Sequence, residues 1–304
     1  MPEALPDSMA DAGAQHAALS GSLARPADRI DSHLHVWELA PGKYSWLTPA
    51  HGVLYDSFTP EQAGQALVSA GVGQAILVQA DDTAADTEAM LAAAAVHDWI
   101  IGVVGWLPLE DPSATAAMLE QWGSNPAFCG VRTLIHDNPR ADILVLESVR
   151  ASLALVAQAG IPFDVPDAFP RHLSQVADLA HTLPELTVVV DHLGKPPRAG
   201  TREQMRQWEK QLRAVATLPN AVAKFSGLHA AGTEYSAQAL QQIWEIALDS
   251  FGPQRLMFGG DWPVSLLGES YHHNVNVAGT LINSLSAEEA ALIWAGTARR
   301  TYRR

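Results

Sequence analysis

Ile30-Asp31-Ser32-His33-Leu34-His35-Val36-Trp37 is a short apolar run that carries two histidines one residue apart. In a strand, side chains two apart point to the same side, so His33 and His35 converge on one point. Two later runs also finish on a histidine or an aspartate: Val188-Val189-Val190-Asp191-His192 and Leu256-Met257-Phe258-Gly259-Gly260-Asp261. Polar groups at the ends of three strands make one shared site if those strands lie parallel in one sheet. The fold therefore has to be read around them.

Apolar runs of this kind recur along the chain: Arg29 to His33, Gln74 to Gln79, Ile100 to Gly105, Phe128 to Leu134, Ile161 to Val165, Leu186 to Asp191, Ala221 to Phe225 and Arg255 to Phe258. They stand about 25 to 45 residues apart, the interval that a parallel strand and its crossover helix need. Most are apolar at consecutive positions, as strands covered on both faces are. Helical patterns lie between them. Thr59-Pro60-Glu61 opens one with a cap residue and a proline at the first helical position, and Gly71 closes it. Ala84 to Trp99, Ile143 to Ala159 and Arg202 to Leu218 read as amphipathic helices, and Ser286-Ala287-Glu288-Glu289 is a capping box before the stripe Ala291 to Tyr302. The economical fold is α/β: a single (β/α)8 barrel of the TIM type over residues 29–304, working at the C-terminal ends of its strands. Residues 1–28 lack periodicity and an apolar face and read as a flexible N-terminal extension.

The formal charge of -14 argues against nucleic acid or an anionic membrane surface as partner, because neutralising phosphates takes an excess of Lys and Arg. A single cysteine, Cys129, makes no internal disulfide, and residues 1–28 lack the basic start and apolar core of a secretory signal. A cytoplasmic protein is the expectation, with oligomeric state left open, a homo-oligomer included. Cys129, in an apolar run beside Gly130, reads as a packing residue.

On a barrel, the residues just past the strands face one bowl: His33 and His35, Gln79, Trp106, Arg132 with His136, Asp164, His192, Lys224 with Ser226, and Asp261. At these positions the sequence resembles the amidohydrolase superfamily, in the branch that holds sugar-acid lactonases such as L-fuconolactonase and L-rhamnono-lactonase. The resemblance is carried by Asp-Ser-His-Leu-His-Val-Trp at 31–37, Lys-Tyr-Ser-Trp-Leu at 43–47, Gly-Val-Arg at 130–132, Asp-His-Leu-Gly-Lys-Pro at 191–196, Lys-Phe-Ser-Gly-Leu at 224–228 and Phe-Gly-Gly-Asp-Trp-Pro-Val at 258–264. It implies a distorted barrel, hydrolysis of a small lactone, and a site built on His33, His35, His192 and Asp261. Superfamily members with two metals bridge them by a carboxylated lysine or a glutamate on the fourth strand. This chain has no lysine between Lys43 and Lys195, so a mononuclear or metal-free site is what the pattern implies.

Opening a lactone takes a deprotonated water, a polarised carbonyl and a proton for the departing ring oxygen. Asp261 is the candidate general base, with a small upward pKa shift to help it, and His192 the group that holds or polarises the carbonyl. His33, His35 and Asp261 are the candidate ligands of one divalent metal, zinc before others; the alternative is that both histidines bind substrate directly. Arg132 is read as a clasp for a substrate oxygen, or else as the ion-pair partner of Asp164. Lys195 and Lys224 are further candidates for substrate contact, Tyr44 and Trp46 for stacking on a sugar ring, and Trp106 and Trp262 for walls of the bowl. His51 and His172 read as ordinary surface residues, and His272-His273 as part of the loop after the last strand. Two competing functions share these residues: a metal-dependent decarboxylase of an aromatic acid, and a sugar-acid binding protein without catalysis.

Overall fold

The computed structural model describes residues 28–303; the N-terminal extension, apart from Asp28, lies outside them. Eight parallel strands follow one another around the sheet in chain order: β1 (Ile30–Leu34), β2 (Gln74–Val78), β3 (Ile100–Gly105), β4 (Phe128–Arg132), β5 (Phe163–Val165), β6 (Val188–Val190), β7 (Ala221–Phe225) and β8 (Leu256–Phe258). All eight coincide with the apolar runs of the sequence. The helices α1 (Pro60–Ser69), α2 (Ala84–Ala94), α3 (Pro112–Trp122), α4 (Glu147–Gln158), α5 (Leu173–Thr182), α6 (Arg202–Ala216), α7 (Ala237–Phe251) and α8 (Tyr271–Ile282) fall between and after them. This is the (β/α)8 barrel that the spacing predicts.

Two local expectations need correction. The helix expected over 84–99 ends at Ala94, because a turn with Val96 N and His97 N on Ala93 O lets the chain drop into β3. His272 and His273 lie in the first turn of α8, not in a loop; their rings meet Ser69 O and Tyr235 O.

The ring closes irregularly. Between β8 and β1 no regular ladder forms; instead Ser32 Oγ donates to Phe258 O (2.6 Å), Asp261 N to His33 O (2.8 Å) and His35 N to Trp262 O (2.7 Å). Asp31 braces this seam. Its carboxylate accepts from His33 N, Gly260 N and the Tyr271 hydroxyl, so the first motif, the last motif and α8 meet on one side chain. Gly260 is needed there, since a Cβ would stand 2.5 Å from Asp31 Oδ2.

Apolar side chains sort into two layers. Val188 and Val190 pack outward with the helices, whereas Val189 joins Ile30, Ile76, Val78, Val104, Cys129, Val222 and Met257 in a second cluster inside the ring. Ala295, Ala298 and Tyr302, from the C-terminal segment, belong to that inner cluster and plug it. The same alternation decides what faces the barrel axis above the apolar layer. Phe163 and Val165 point outward, so Asp164 points in; Ala223 and Phe225 point outward, so Lys224 points in. The interior is thus apolar at one end and ionic toward the other, where the site lies.

Candidate active site

At the C-terminal end of the barrel three imidazoles surround one carboxylate. Asp261 Oδ1 lies 3.5 Å from His35 Nε2, 3.8 Å from His33 Nε2 and 4.0 Å from His192 Nε2, and the two Nε2 atoms of His33 and His35 are 3.1 Å apart. All four residues are buried. His192 and Asp261 reach these positions from left-handed backbone, with φ of 54° and 55°. Non-glycine residues there cost of order 1–3 kcal/mol each and persist only where the surroundings impose them. Gly227 makes room: a Cβ on it would stand 2.3 Å from His192 Nδ1 and 2.7 Å from Asp261 Oδ2.

Hydrogen bonds behind the rings aim them. His35 Nδ1 faces Val78 O at 2.8 Å, an acceptor only, so Nδ1 carries the proton and Nε2 keeps its lone pair for the site. Ser226 Oγ, 2.8 Å from His192 Nδ1, orients that ring. His33 Nδ1 stands 3.3 Å from Asp191 Oδ1 and 3.2 Å from Lys224 Nζ. Burial holds both the His33 and His192 imidazoles below their ordinary range, so they are neutral at pH 7. Around Asp261 burial pushes the carboxyl pKa up, but the imidazoles of His192, His35 and His33 prevail and hold it well below the usual carboxylate range. This corrects the upward shift expected from the sequence: Asp261 is ionised and, alone, a weak base.

His33, His35 and Asp261 suit a divalent cation. Ligand atoms ~2.0–2.2 Å from a tetrahedral zinc lie roughly 3.3 Å from one another, and the 3.1, 3.5 and 3.8 Å separations here bracket that value. The His33 and His35 Nε2 atoms and the Asp261 carboxylate thus turn three possible ligand atoms toward one point. A second cluster, His33, Asp191 and His192, is less apt, because the Asp191 carboxylate is already spent.

That carboxylate belongs to an ionic floor. Lys224 Nζ contacts Asp164 Oδ2 at 2.5 Å and Asp191 Oδ1 at 3.1 Å, and Arg132 Nε donates to Asp191 Oδ2 at 2.9 Å. Tyr302 Oη donates to Asp164 Oδ2 at 2.7 Å, from the inner plug. Against the opposing effect of burial, Lys224, His33 and Arg132 hold the Asp191 carboxyl well below its ordinary range. Asp164 goes the other way, pushed up to about 6 by burial despite Lys224 and with the charge of Asp191 adding to the rise.

Above the floor opens a cavity of about 280 Å³, whose walls include His35, Trp37, Trp46, His51, Arg132, His136, Asp167, His192, Lys195 and Asp261. Its size falls just below the ~300–1,000 Å³ of drug-sized pockets and suits a small molecule. Of the residues singled out in the sequence, His35, His192, Asp261, Arg132, Lys195 and Trp46 line it, and His33 stands immediately beneath.

Three candidates for substrate contact are placed elsewhere. Lys224 is fully enclosed under the floor, where its ammonium serves Asp164, Asp191 and His33. Tyr44 turns its hydroxyl to Asp86 at 2.9 Å, and Trp106 borders a separate hollow. Trp262 is buried, and its carbonyl holds His35. Arg132 pairs with Asp191, not Asp164, and gives Nη1 to Gln79 O, which leaves Nη2 for the cavity it lines. His51, read as a surface residue, is in the cavity wall, and His172 is fully buried. Asp31, Asp191 and Asp167 were not singled out. The first two were visible as members of the histidine-bearing motifs; Asp167 carried no such signal.

A family model described as amidohydrolase matches residues 30–304. The chain belongs to the amidohydrolase family. This amidohydrolase is 33% identical over 285 residues, 90% of its length and 95% of the relative's, to a protein from Burkholderia multivorans named L-fucono-1,5-lactonase. A second protein of that name, from Burkholderia ambifaria, is 30% identical over 79% of this chain and 81% of its own. Among solved structures, the crystal structure of an amidohydrolase from Burkholderia multivorans with bound zinc superposes with a TM-score of 0.83 at 32% identity, covering 90% of this chain and 98% of that one. No helix of the described residues in the amidohydrolase is long and apolar enough to cross a membrane.

Proposed function

We propose that the chain hydrolyses a sugar-acid lactone, an aldonolactone of the L-fucono-1,5-lactone kind, by attack of an activated water on the ester carbonyl. One observation carries the reading. An imidazole pair and a buried carboxylate meet at the floor of a cavity of small-molecule size, in a chain 33% identical over 90% of its length to a protein named for that reaction.

The roles follow from the geometry. His33, His35 and Asp261 Oδ1 would hold zinc, which when bound supplies an acidified water and a polarised carbonyl, the two things that a carboxylate of such low basicity cannot. Asp261 Oδ2, the oxygen not turned to the Nε2 atoms, borders the gap left by Gly227. It takes up the water proton and returns it to the departing ring oxygen. His192, fixed by Ser226, presents Nε2 to the carbonyl oxygen as negative charge develops there. Arg132 Nη2 and Lys195 are the cationic donors on the cavity wall, and Trp46, held by its indole donating to Ala80 O, offers a flat apolar face to a sugar ring.

The test is Asp261→Asn, which keeps shape but removes the carboxylate. Turnover of a 1,5-lactone should fall by roughly a hundredfold to ten-thousandfold, the usual worth of a placed acid or base. If Asp261 only ligates metal, zinc content falls as well and added zinc restores most of the rate. A variant that hydrolyses lactone at close to the wild-type rate excludes both roles.

A further inference from the structure

Asp167 is a charged residue at the cavity wall whose placement the hydrolytic chemistry leaves unexplained. It follows β5 in a backbone conformation with φ of 33°, and Lys195, after β6, has φ of 62°. Both strained positions are held by one tie between their loops, Phe169 N donating to Gly194 O at 2.8 Å. The tie brings the two charges to the same side of the cavity, with Lys195 Nζ 3.8 Å from Asp167 Oδ1. That separation is too long for a hydrogen bond. Lys195 gives one proton to Gly227 O at 3.1 Å, and its ammonium keeps further donors for a ligand.

Asp167 is the more telling of the two. Its Oδ1 is buried, yet among the described residues it accepts no hydrogen bond. Burial opposes its ionisation, and the nearby Lys195 ammonium overcomes that and holds the carboxyl below its ordinary range. A buried carboxylate oxygen with no donor is costly, and strained backbone on top of it adds to the cost. Both costs vanish as anomalies if the missing donor arrives with the ligand.

We infer that Asp167, with Lys195 beside it, binds neighbouring hydroxyl groups on the ring of the lactone and makes the site selective for polyhydroxylated, uncharged lactones. A carboxylate accepts O–H donors, and an ammonium donates to the oxygen next to them; together they match a pair of adjacent hydroxyls. A lactone bearing a carboxylate in place of those hydroxyls would meet the charge of Asp167 on the cavity wall. A lactone without hydroxyls would leave Asp167 as poorly satisfied as it is in the free protein. Sites built to hydrogen-bond a substrate hydroxyl discriminate against analogues that lack it far more strongly than apolar pockets do.

This inference rests on the lactonase reading, so the test separates the two. Wild-type protein, Asp167→Asn and Asp167→Ala are compared on L-fucono-1,5-lactone and on δ-valerolactone, which has the ring and the ester but no hydroxyls. For Asp167→Ala, kcat/KM on the sugar lactone should drop about 10- to 100-fold, the usual worth of a hydrogen bond to a charged group, with most of the change in KM. Asp167→Asn, which keeps one acceptor oxygen, should recover part of it. On δ-valerolactone both variants should match wild type, and melting temperatures should not fall. Equal losses on both substrates, or no loss on either, overturn the inference. Should the wild type hydrolyse neither, the lactonase reading fails, and calorimetric titration with the 1,5-lactam of the same sugar acid decides about Asp167. Binding lost in Asp167→Ala supports its role; binding kept overturns it.

Discussion

Two lysines stand at neighbouring strand ends of this barrel and do opposite things. Lys224 is fully buried and has three partners within 3.2 Å: Asp164, Asp191 and His33. Lys195 is about a third exposed, with one hydrogen bond to a carbonyl and a carboxylate 3.8 Å away. In sequence they look alike, each in a short motif after an apolar run. The difference separates a floor whose lysine is enclosed by partners from a mouth whose lysine keeps donors free. Charges on the floor are in direct ion-pair contact with one another beneath the rings, although Asp164 Oδ1 accepts no hydrogen bond among the described residues; the charges at the mouth stand 3.8 Å apart.

The comparison breaks if the two lysines respond alike to removal. Lys224→Met leaves Asp164 with the Tyr302 hydroxyl alone and Asp191 with Arg132 and His33, and loss of one partner in a buried ion network costs about 3–5 kcal/mol of stability. Urea denaturation should show it as a large drop in midpoint, and catalysis should suffer as His33 loses a neighbour. Lys195→Met removes a partly exposed ammonium whose ion pair is worth at most about 1 kcal/mol. Its midpoint should hardly move, whereas KM for a sugar lactone should rise. Equal destabilisation by both substitutions would mean that the mouth is as structural as the floor.

Much of this was legible in the sequence, for a physical reason. Strands covered on both faces leave unbroken apolar runs, and the polar residue that ends such a run sits at the barrel's working end; His33, His35, His192 and Asp261 were found that way. What the sequence hid was direction. Arg132, Asp164 and Lys224 also lie at strand ends, but each is drawn below the cavity by an ionic partner more than thirty residues distant in the chain. Arg132 alone keeps a group in the cavity. Tyr44 was lost to Asp86 in the same way. His51 and Asp167 were missed because they come from loops, and loop geometry depends on contacts such as Phe169 to Gly194 that no local pattern announces.

The central claim is that the three histidines and Asp261 open lactone esters. It is tested most directly by offering the zinc-analysed, purified protein L-fucono-1,5-lactone and following proton release, with an aromatic acid such as 2,6-dihydroxybenzoate offered in parallel and carbon dioxide followed. The account predicts release of one proton per lactone opened, faster than the uncatalysed reaction, and no carbon dioxide. Carbon dioxide without lactone turnover, or calorimetric binding of lactone with no turnover at all, would contradict it.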